Sequence, residues 1–343
     1  MTLDLPLVWA GLLALAVLLY VLLDGFDLGV GILFPFAGSD KDRDVMMASI
    51  APVWDGNETW LVLGGGGLMA AFPGAYAILM PALYLPVTFM LAGLILRGVA
   101  FEFRLHGRNR GKPFWTWAFA GGSLLATLSQ GLVLGGFIQG IKVEGDHFAG
   151  GPLDWATPYS LAVALGLVAG YVLLGAGWLV LKTEDALHGL GRLWAMRASV
   201  AVAAILAMVS IATLLIHPLI AIRWGIGAHQ IDFPRFLPLL PIPLMGAVGL
   251  LMAYAGARSD TAHPHTPMVG AALAFLSGYL GLAVGFLPFI VPYAMTYEEA
   301  ASTPGALKLI LIGAAILLPV TLAYSAWVYW VFRGKVGADA GYH

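Results

Sequence analysis

Nine stretches of the chain are apolar and long enough to cross a membrane, and polar segments separate them. A helix needs about 20 mostly apolar residues to span the hydrocarbon core. The pattern therefore predicts an all-α, polytopic membrane protein of about nine transmembrane helices. The first stretch exceeds one span, so we expect its last third to tilt, turn or enter the interface. The stretches are Leu5–Phe36, Ala51–Phe72, Tyr76–Phe101, Phe114–Gly140, Tyr159–Leu181, Trp194–His217, Phe236–Ala257, Met268–Val291 and Leu307–Phe332.

The composition is that of an integral membrane protein. The chain is 60% hydrophobic and 10% charged, whereas a soluble domain averages about 25% charged residues. The net charge of -2 includes no long run of one sign, so the basic patch that nucleic-acid binding requires is missing. The lack of cysteine excludes disulfides, iron–sulfur clusters and thiolate metal sites. No basic region precedes the first stretch, so we expect a retained span rather than a cleaved signal.

The lysines and arginines predict an N-terminus outside and a C-terminus in the cytoplasm. Cytoplasmic loops of membrane proteins carry an excess of these residues. In this orientation thirteen of the seventeen fall in inner loops, inner helix ends or the tail. The basic stretch Arg104–Lys112, which includes His106, is typical of an anchor to anionic phospholipid or to a partner loop. The inner residues are Lys41, Arg43, Arg97, Arg104, Arg108, Arg110, Lys112, Lys182, Arg192, Arg197, Arg258, Arg333 and Lys335, and the outer ones are Lys142, Arg223, Arg235 and Lys308.

Glycine and proline organise the predicted helices. We interpret most of the 44 glycines as close helix packing, because small residues let helix backbones approach each other in lipid. The prolines of Pro238–Pro243 and the segment Phe286–Tyr293 predict kinks or unwound turns. The run Gly64–Pro73 resembles Gly281–Pro292, which indicates two related halves. The predicted division is a four-helix bundle over 1–140, a second over 155–293 and a ninth helix over 305–333.

Five carboxylates lie at related depth on the first three predicted spans: Asp24, Asp27, Asp55, Glu58 and Glu102. Residues three apart share a helical face, so Asp24 lies beside Asp27 and Asp55 beside Glu58. Such a set can relay protons, because burial and like charge favour protonated carboxyl groups near the working pH. An alternative for Glu102 is an interfacial ion pair with Arg97 or Arg104.

The other acids also have simpler interpretations. Asp55 could cap its helix, with Asn57 and Glu58 in the first turn. Asp24 and Asp27 lie within an apolar stretch, where no cap is needed. For these two the alternatives are a function or pairing with a cation from another helix.

The histidines predict that this chain binds no haem through its own side chains. A membrane haem normally takes an axial His, Met or Cys from a helix. Every histidine falls in a loop, at a helix edge or in the tail, and methionine in a span is typical of packing. We interpret His263 and His265 as loop residues rather than metal ligands. The eight histidines are His106, His147, His188, His217, His229, His263, His265 and His343.

Two motifs carry a resemblance to a known family. Asp24-Gly25-Phe26-Asp27-Leu28-Gly29-Val30-Gly31, followed by Ala51-Pro52-Val53-Trp54-Asp55-Gly56-Asn57-Glu58-Thr59-Trp60-Leu61, resembles subunit II of the cytochrome bd-type quinol oxidases. The segment Arg97–Arg104 fits the same family, and length and span number agree over the whole chain. The Glu58-Thr59 pair and the run Gly64–Gly67 are most similar to the cyanide-insensitive branch.

The resemblance implies a bacterial inner-membrane complex. A partner, subunit I, would carry two b-type haems and haem d, oxidise quinol and reduce oxygen to water. This chain would be its haem-free partner and would help to deliver cytoplasmic protons, with Asp55 on the path, Glu58 in support and Glu102 near the entrance. The roles of Asp24 and Asp27 are less defined. A bound quinone and small single-helix subunits occur in this family, but no residue here locates them.

Two other functions compete with this one. Several spans, broken helices and intramembrane acids also suit a proton- or ion-coupled transporter. The carboxylates lie toward the inner side rather than the midplane, which argues against it. A pure scaffold is the other alternative, in which the acids affect assembly and not turnover.

Overall fold

Helices make up most of the described chain, which comprises residues 4–106, 111–227 and 230–337 of a computed structural model, with backbone alone at 105 and 106. They are α1 Leu5–Leu33, α2 Asp40–Ile50, α3 Trp54–Ala71, α4 Pro73–His106, α5 Lys112–Gln139, α6 Pro158–Lys182, α7 Asp185–Ile216, α8 Pro218–Arg223, α9 Phe233–Leu239, α10 Pro241–Arg258, α11 Thr266–Phe286, α12 Tyr297–Ala300 and α13 Pro304–Val331. Two antiparallel hairpins pair β1 Val143–Glu144 with β2 His147–Phe148, and β3 Phe289–Val291 with β4 Met295–Thr296.

Eight helices of the described chain are long and apolar enough to cross a membrane. The predicted all-α, polytopic class is thereby confirmed. α3 occupies the remaining predicted stretch, but its 18 residues open with Asp55, Asn57 and Glu58 and are too polar to qualify by hydropathy. α3 nevertheless packs along α1 and contacts α4 and α13. Its place among the spans therefore comes from neighbouring helices rather than from apolar composition.

The predicted helix breaks near the prolines are present, and the chain forms two further elements there or nearby, the strand β3 and the polar helix α2. α9 ends at Leu239 and α10 begins at Pro241, as the proline cluster predicts. α11 ends at Phe286, and the chain then forms β3, a strand that the sequence did not predict. The first stretch stays helical to Leu33, and a 3₁₀ turn and the polar helix α2 follow it. The turn expected in the last third of this stretch is therefore limited to its last three residues.

Glycines let α1 and α6 cross at close range. A Cβ atom at Gly29 would lie 1.8 Å from the Tyr171 carbonyl oxygen. A Cβ at Gly122 of α5 would lie 2.7 Å from the Arg97 nitrogen of α4. These contacts confirm close packing and join α1 to α6 and α4 to α5 near the buried charges. Gly65 and Gly66 are different, because no atom of the described chain lies within 4 Å of a Cβ placed there.

The helix ends on one side of the bundle are joined by basic side chains. Arg104 pairs with Asp44 at 2.5 Å, Lys182 donates to the Gly334 carbonyl at 3.2 Å, and Arg192 pairs with Asp260 at 2.5 Å. We call this the basic side. It is the side where α1, α4, α6 and α13 end. Four residues of the charge and histidine predictions, Arg108, Arg110, His229 and His343, lie outside the described residues, and the side chain of His106 is not described.

Candidate functional site: a buried acid–base cluster

Asp24 and Asp27 are completely buried in the last third of α1. Each is 0% exposed, and both lie in an uninterrupted buried run from Asp24 to Gly31. Small residues at Gly25 and Gly29 bring this run against α6, where a Cβ would meet Tyr171. The acids therefore belong to the interior of the bundle and do not face lipid.

Arg97 of α4 is the cation that meets Asp24. Its Nη1 donates to Asp24 Oδ1 at 2.7 Å, and the two side chains are 1% and 0% exposed. The guanidinium also lies over the ring of Trp54, 5.7 Å from the centroid. Removing one partner of such a pair leaves an uncompensated buried charge, which costs about 3–5 kcal/mol. Pairing with a cation from another helix, one of the alternatives for Asp24, is thus observed.

Asp27 is held by an amide rather than by a charge-assisted pair. Asn57 Nδ2 donates to Asp27 Oδ2 at 2.7 Å and to the Leu23 carbonyl at 3.3 Å. Asn57 Oδ1 accepts from the Tyr329 hydroxyl at 2.8 Å. Three helices, α1, α3 and α13, therefore meet at Asn57. We call Asp24, Asp27, Asn57, Arg97 and Tyr329 the buried acid–base cluster.

The other three predicted acids lie at different distances from this cluster. Glu58 is half-buried, and its charge acts on both Arg97 and Asp27. Asp55, one turn earlier on α3, is exposed. Glu102 is also exposed, near the end of α4. The structure thus brings Asp24, Asp27 and Glu58 together around Arg97 and leaves Asp55 and Glu102 outside.

Asp55 is not the capping residue of α3. The N-cap position is Val53, which makes no side-chain cap hydrogen bond, and Asp55 lies inside the first turn. A carboxylate there still interacts favourably with the positive end of the helix dipole. Of the capping alternative, the favourable interaction of Asp55 with the helix dipole therefore remains, but Asp55 makes no cap hydrogen bond.

A second polar chain reaches Asp24 from the middle of the bundle. Tyr171 donates to Gln130 Oε1 at 2.8 Å, and Gln130 Nε2 donates to the Tyr20 hydroxyl at 2.6 Å. Tyr20 lies one turn before Asp24 on α1, and the two groups interact. Because Tyr20 accepts from Gln130, its own proton is free for another acceptor. The donors in this chain thus point toward the carboxylate of Asp24.

A separate group of charges surrounds α2 on the basic side. Arg104 is 1% exposed and donates to Thr116 Oγ1 at 3.0 Å and to Asp44 Oδ1 at 2.5 Å. Arg43 donates to Asp40 at 2.8 Å, and this hydrogen bond lowers the pKa of Asp40 from 3.8. Arg104 is buried and paired within the chain, so it does not contribute to the predicted anchor to lipid or a partner loop; for the rest of the stretch Arg104–Lys112 the anchor stays a prediction. We call Asp40, Asp44, Arg43 and Arg104 the α2 ion cluster.

The described residues offer few ligands to a metal or haem. They contain no group of three or more His, Cys, Asp or Glu side chains that could hold a metal ion. The five histidines with described side chains lie in β2, the first turn of α7, the residue after α7, and the loop and cap before α11. One of the five, His188, lies in a candidate span, in the first turn of α7, and none lies in the middle of a span, where a membrane haem ligand is expected. An apolar cleft of about 290 Å³ lies between α1, α3 and α13, with the buried indole nitrogen of Trp60 unpaired at its wall.

The sequence gives the partners of the two buried acids other roles or none. It predicts Arg97 at an inner helix end and Asn57 at a helix start. Tyr329, Gln130 and Tyr171 carried no prediction. One signal was present for Arg97, since a lone cation in an apolar stretch pairs with a lone anion. Nothing in the pattern of α13 or α5 marks Tyr329 or Gln130 as partners of an acid on another helix.

The fold and the cluster define a polytopic helical membrane protein that encloses paired charges among its spans. The sequence model of the family described as cytochrome bd terminal oxidase subunit II matches residues 5–332. The chain belongs to this family. The resemblance carried by the two motifs is thereby confirmed, and a transporter is not favoured.

Relatives cover nearly the whole chain. It is 28% identical to "Cytochrome bd-I ubiquinol oxidase subunit 2" of Escherichia coli (strain K12), over 96% of this chain and 94% of the relative. It is also 28% identical to "Cytochrome bd ubiquinol oxidase subunit 2" of Bacillus subtilis (strain 168), over 96% of both. A chain of "The structure of bd oxidase from Geobacillus thermodenitrificans" aligns with a TM-score of 0.71 at 16% identity, over 97% of this chain and 100% of that one. This last likeness concerns the fold alone.

Proposed function

We propose that the chain is the haem-free subunit II of a cytochrome bd-type quinol:oxygen oxidoreductase in a bacterial inner membrane. Family membership and the printed names of the relatives, ubiquinol oxidase subunits, support this. The described histidines lie in loops or at helix ends, so we assign the two b-type haems and haem d to a partner, subunit I. A bound quinone, bound phospholipid and small single-helix subunits stay predictions.

We further propose that this subunit conducts protons from the cytoplasmic side to the oxygen-reduction site. One observation carries the proposal. Asp55 and Glu58 lie on successive turns of α3 and pass from exposed to half-buried, beside two fully buried acids. Acids graded in this way can accept protons from water and pass them inward. Glu102, exposed near the end of α4, would serve the same entrance.

The proposed topology makes turnover electrogenic without a pump. Quinol oxidation releases protons on the outer side, and oxygen reduction consumes protons taken from the inner side. We identify the basic side with the cytoplasm, because the excess of Lys and Arg lies there. The acids of α1 and α3 then face the proton supply.

Asp55→Asn tests the proton path. The amide keeps the size and polarity of the side chain but cannot take up a proton. We expect normal assembly with full haem content and a loss of quinol oxidase turnover of about a hundredfold or more, the range for a lost proton-transfer group. The measurement is oxygen consumption by the purified complex, with Glu144→Gln in β1 as a control.

Two outcomes would count against it. Wild-type turnover in Asp55→Asn would sink the proton-path role. A lower yield of complex at normal turnover per haem would instead support the scaffold alternative.

A further inference from the structure

Tyr329 brings α13 into the buried acid–base cluster. α13 is otherwise loosely attached, since Leu307 and Val328 are its buried residues. The Tyr329 hydroxyl donates to Asn57 Oδ1 at 2.8 Å, and its ring packs edge-on against Trp178 with centroids 6.2 Å apart. A helix with few buried residues thus contributes a hydroxyl to Asn57, which is itself hydrogen-bonded to the buried Asp27.

The end of α13 is fixed immediately beyond Tyr329. Lys182 of α6 donates to the carbonyls of Phe332 and Gly334, and the Val336 nitrogen donates to the Lys182 carbonyl at 2.8 Å. The last turn of a helix leaves carbonyls without partners, and a cation there is favourable. This anchor holds Tyr329 at a set height beside α3.

The hydrogen-bond partners decide which way the Asn57 amide points. The Leu23 carbonyl can only accept, so the amide nitrogen must face it. The same nitrogen reaches Asp27 Oδ2, which leaves Oδ1 for the Tyr329 hydroxyl. A turned amide would place Oδ1 against two acceptors, the Leu23 carbonyl and the Asp27 carboxylate. The observed orientation therefore suits an ionised Asp27.

We propose that Tyr329 is a positioning residue that keeps the Asn57 amide nitrogen on Asp27 and so links the end of α13 to proton transfer at Asp27. The proposal rests on the proton path of the proposed function. A protonated carboxyl group donates and pairs better with an amide oxygen than with an amide nitrogen. For the amide to turn, Asn57 would have to lose its bond to the Leu23 carbonyl, and the Tyr329 hydroxyl would have to change from donor to acceptor. The protonated state of Asp27 is thus kept short-lived, which favours passage of the proton.

Other charged groups around Asp27 also affect its protonation. Asp24 of α1, Glu58 of α3 and Arg97 of α4 are charged groups that act on Asp27. The titratable Tyr329 of α13 also faces it. Removing the Tyr329 hydroxyl leaves these three charges in place, so the effect of the hydroxyl can be separated from the effects of the charges.

Tyr329→Phe in the complete oxidase is the test. The ring and its contact with Trp178 remain, and one donor is lost. We expect unchanged haem content, turnover about threefold to tenfold lower near neutral pH, as for one neutral hydrogen bond, and an alkaline limb of the pH–turnover profile displaced to higher pH. The infrared carboxyl band that Asp27→Asn abolishes should shift in frequency. Tyr324→Phe, on the same helix and 60% exposed at the starting residue, is the matched control and should behave as the wild type.

The outcomes separate this proposal from the proton path itself. An unmoved profile and an unmoved band in Tyr329→Phe would overturn it. Failure of this variant to assemble would also overturn it, because the hydroxyl would then serve assembly rather than positioning. In an Asn57→Leu background the Tyr329→Phe change should have no further effect on the profile. Wild-type turnover in Asp55→Asn would sink the proton path, and the band shift would still report the Tyr329–Asn57–Asp27 contact.

Discussion

α4 carries two buried arginines that differ in their partners. Arg97 and Arg104 are seven residues apart, about two helical turns, and so lie on one face. Each is 1% exposed. Arg97 meets Asp24, which is 0% exposed, whereas the side chain of Asp44 that meets Arg104 is 49% exposed. The two arginines are therefore equally buried, but only Arg97 has an acid partner that is also buried.

The exposure of the acid partner decides how strongly each arginine depends on it. Water can solvate Asp44, and Asp40 supplies a second carboxylate 3.6 Å from Arg104. The α2 ion cluster can therefore lose a member without leaving a bare buried charge. Asp24 and Arg97 have no such recourse to water, and a pair of this kind contributes little net stability. We therefore propose a functional role for this pair, as for other intramembrane charges.

Asp24→Asn should give the largest effect. Arg97 would lose its partner at 2.7 Å, although the charges of Asp27 and Glu58 still act on it. We therefore expect the lower end of the range for a broken buried pair, about 3 kcal/mol, seen in thermal unfolding of the purified complex. Adding Arg97→Met should restore part of the loss. A loss as small as that of a surface pair would show that Arg97 is compensated elsewhere, and the comparison would fail.

Gly29→Ala should come next, because it moves the helix that carries both acids. A Cβ atom 1.8 Å from the Tyr171 carbonyl forces α1 away from α6, and overpacking of this kind costs about 1–3 kcal/mol or more. Gly11→Ala on the same helix is the control, since no atom of the described residues outside the local helix backbone lies within 4 Å of a Cβ placed there. It should be neutral or slightly stabilising, by up to about 1 kcal/mol. Equal effects of the two changes on melting temperature would contradict the close crossing.

The sequence predicted the spans well, for a physical reason. An apolar stretch of about 20 residues can cross the bilayer, and its length can be counted directly from the sequence. α2 was missed because it is short and polar, with Ser39 as its cap, and resembles a loop. The β3–β4 hairpin was missed because strands of two or three residues leave no alternating pattern.

The cluster was predictable only in part. The spacing placed Asp24 and Asp27 on one face, and their position in an apolar stretch required a partner. The partner was misjudged because Arg97 was counted among the charges at the inner helix ends. The contact between Asn57 and Tyr329 joins residues 272 apart in the chain. No pattern within one helix reports which other helix it will meet.

Asp40→Asn in the α2 ion cluster should give the smallest effect and a pH signature. The side chain of Asp40 is 65% exposed and pairs with Arg43 at 2.8 Å, so solvent screening keeps its contribution below about 1 kcal/mol. Its pKa is lowered from 3.8 by the Arg43 hydrogen bond. The contribution is therefore present above this value and is lost as the pH falls through the lowered pKa of the folded state.

The variant should melt slightly below the wild type near neutral pH, and the two should converge in acid. Asp146→Asn in the β1–β2 turn, another exposed aspartate, is the control and should show no convergence. A loss at neutral pH as large as that of Asp24→Asn would mean that Arg104 depends on Asp40 as strictly as Arg97 depends on Asp24. The two arginines of α4 would then be equivalent, and the burial of the acid partner would no longer distinguish the site from its surroundings.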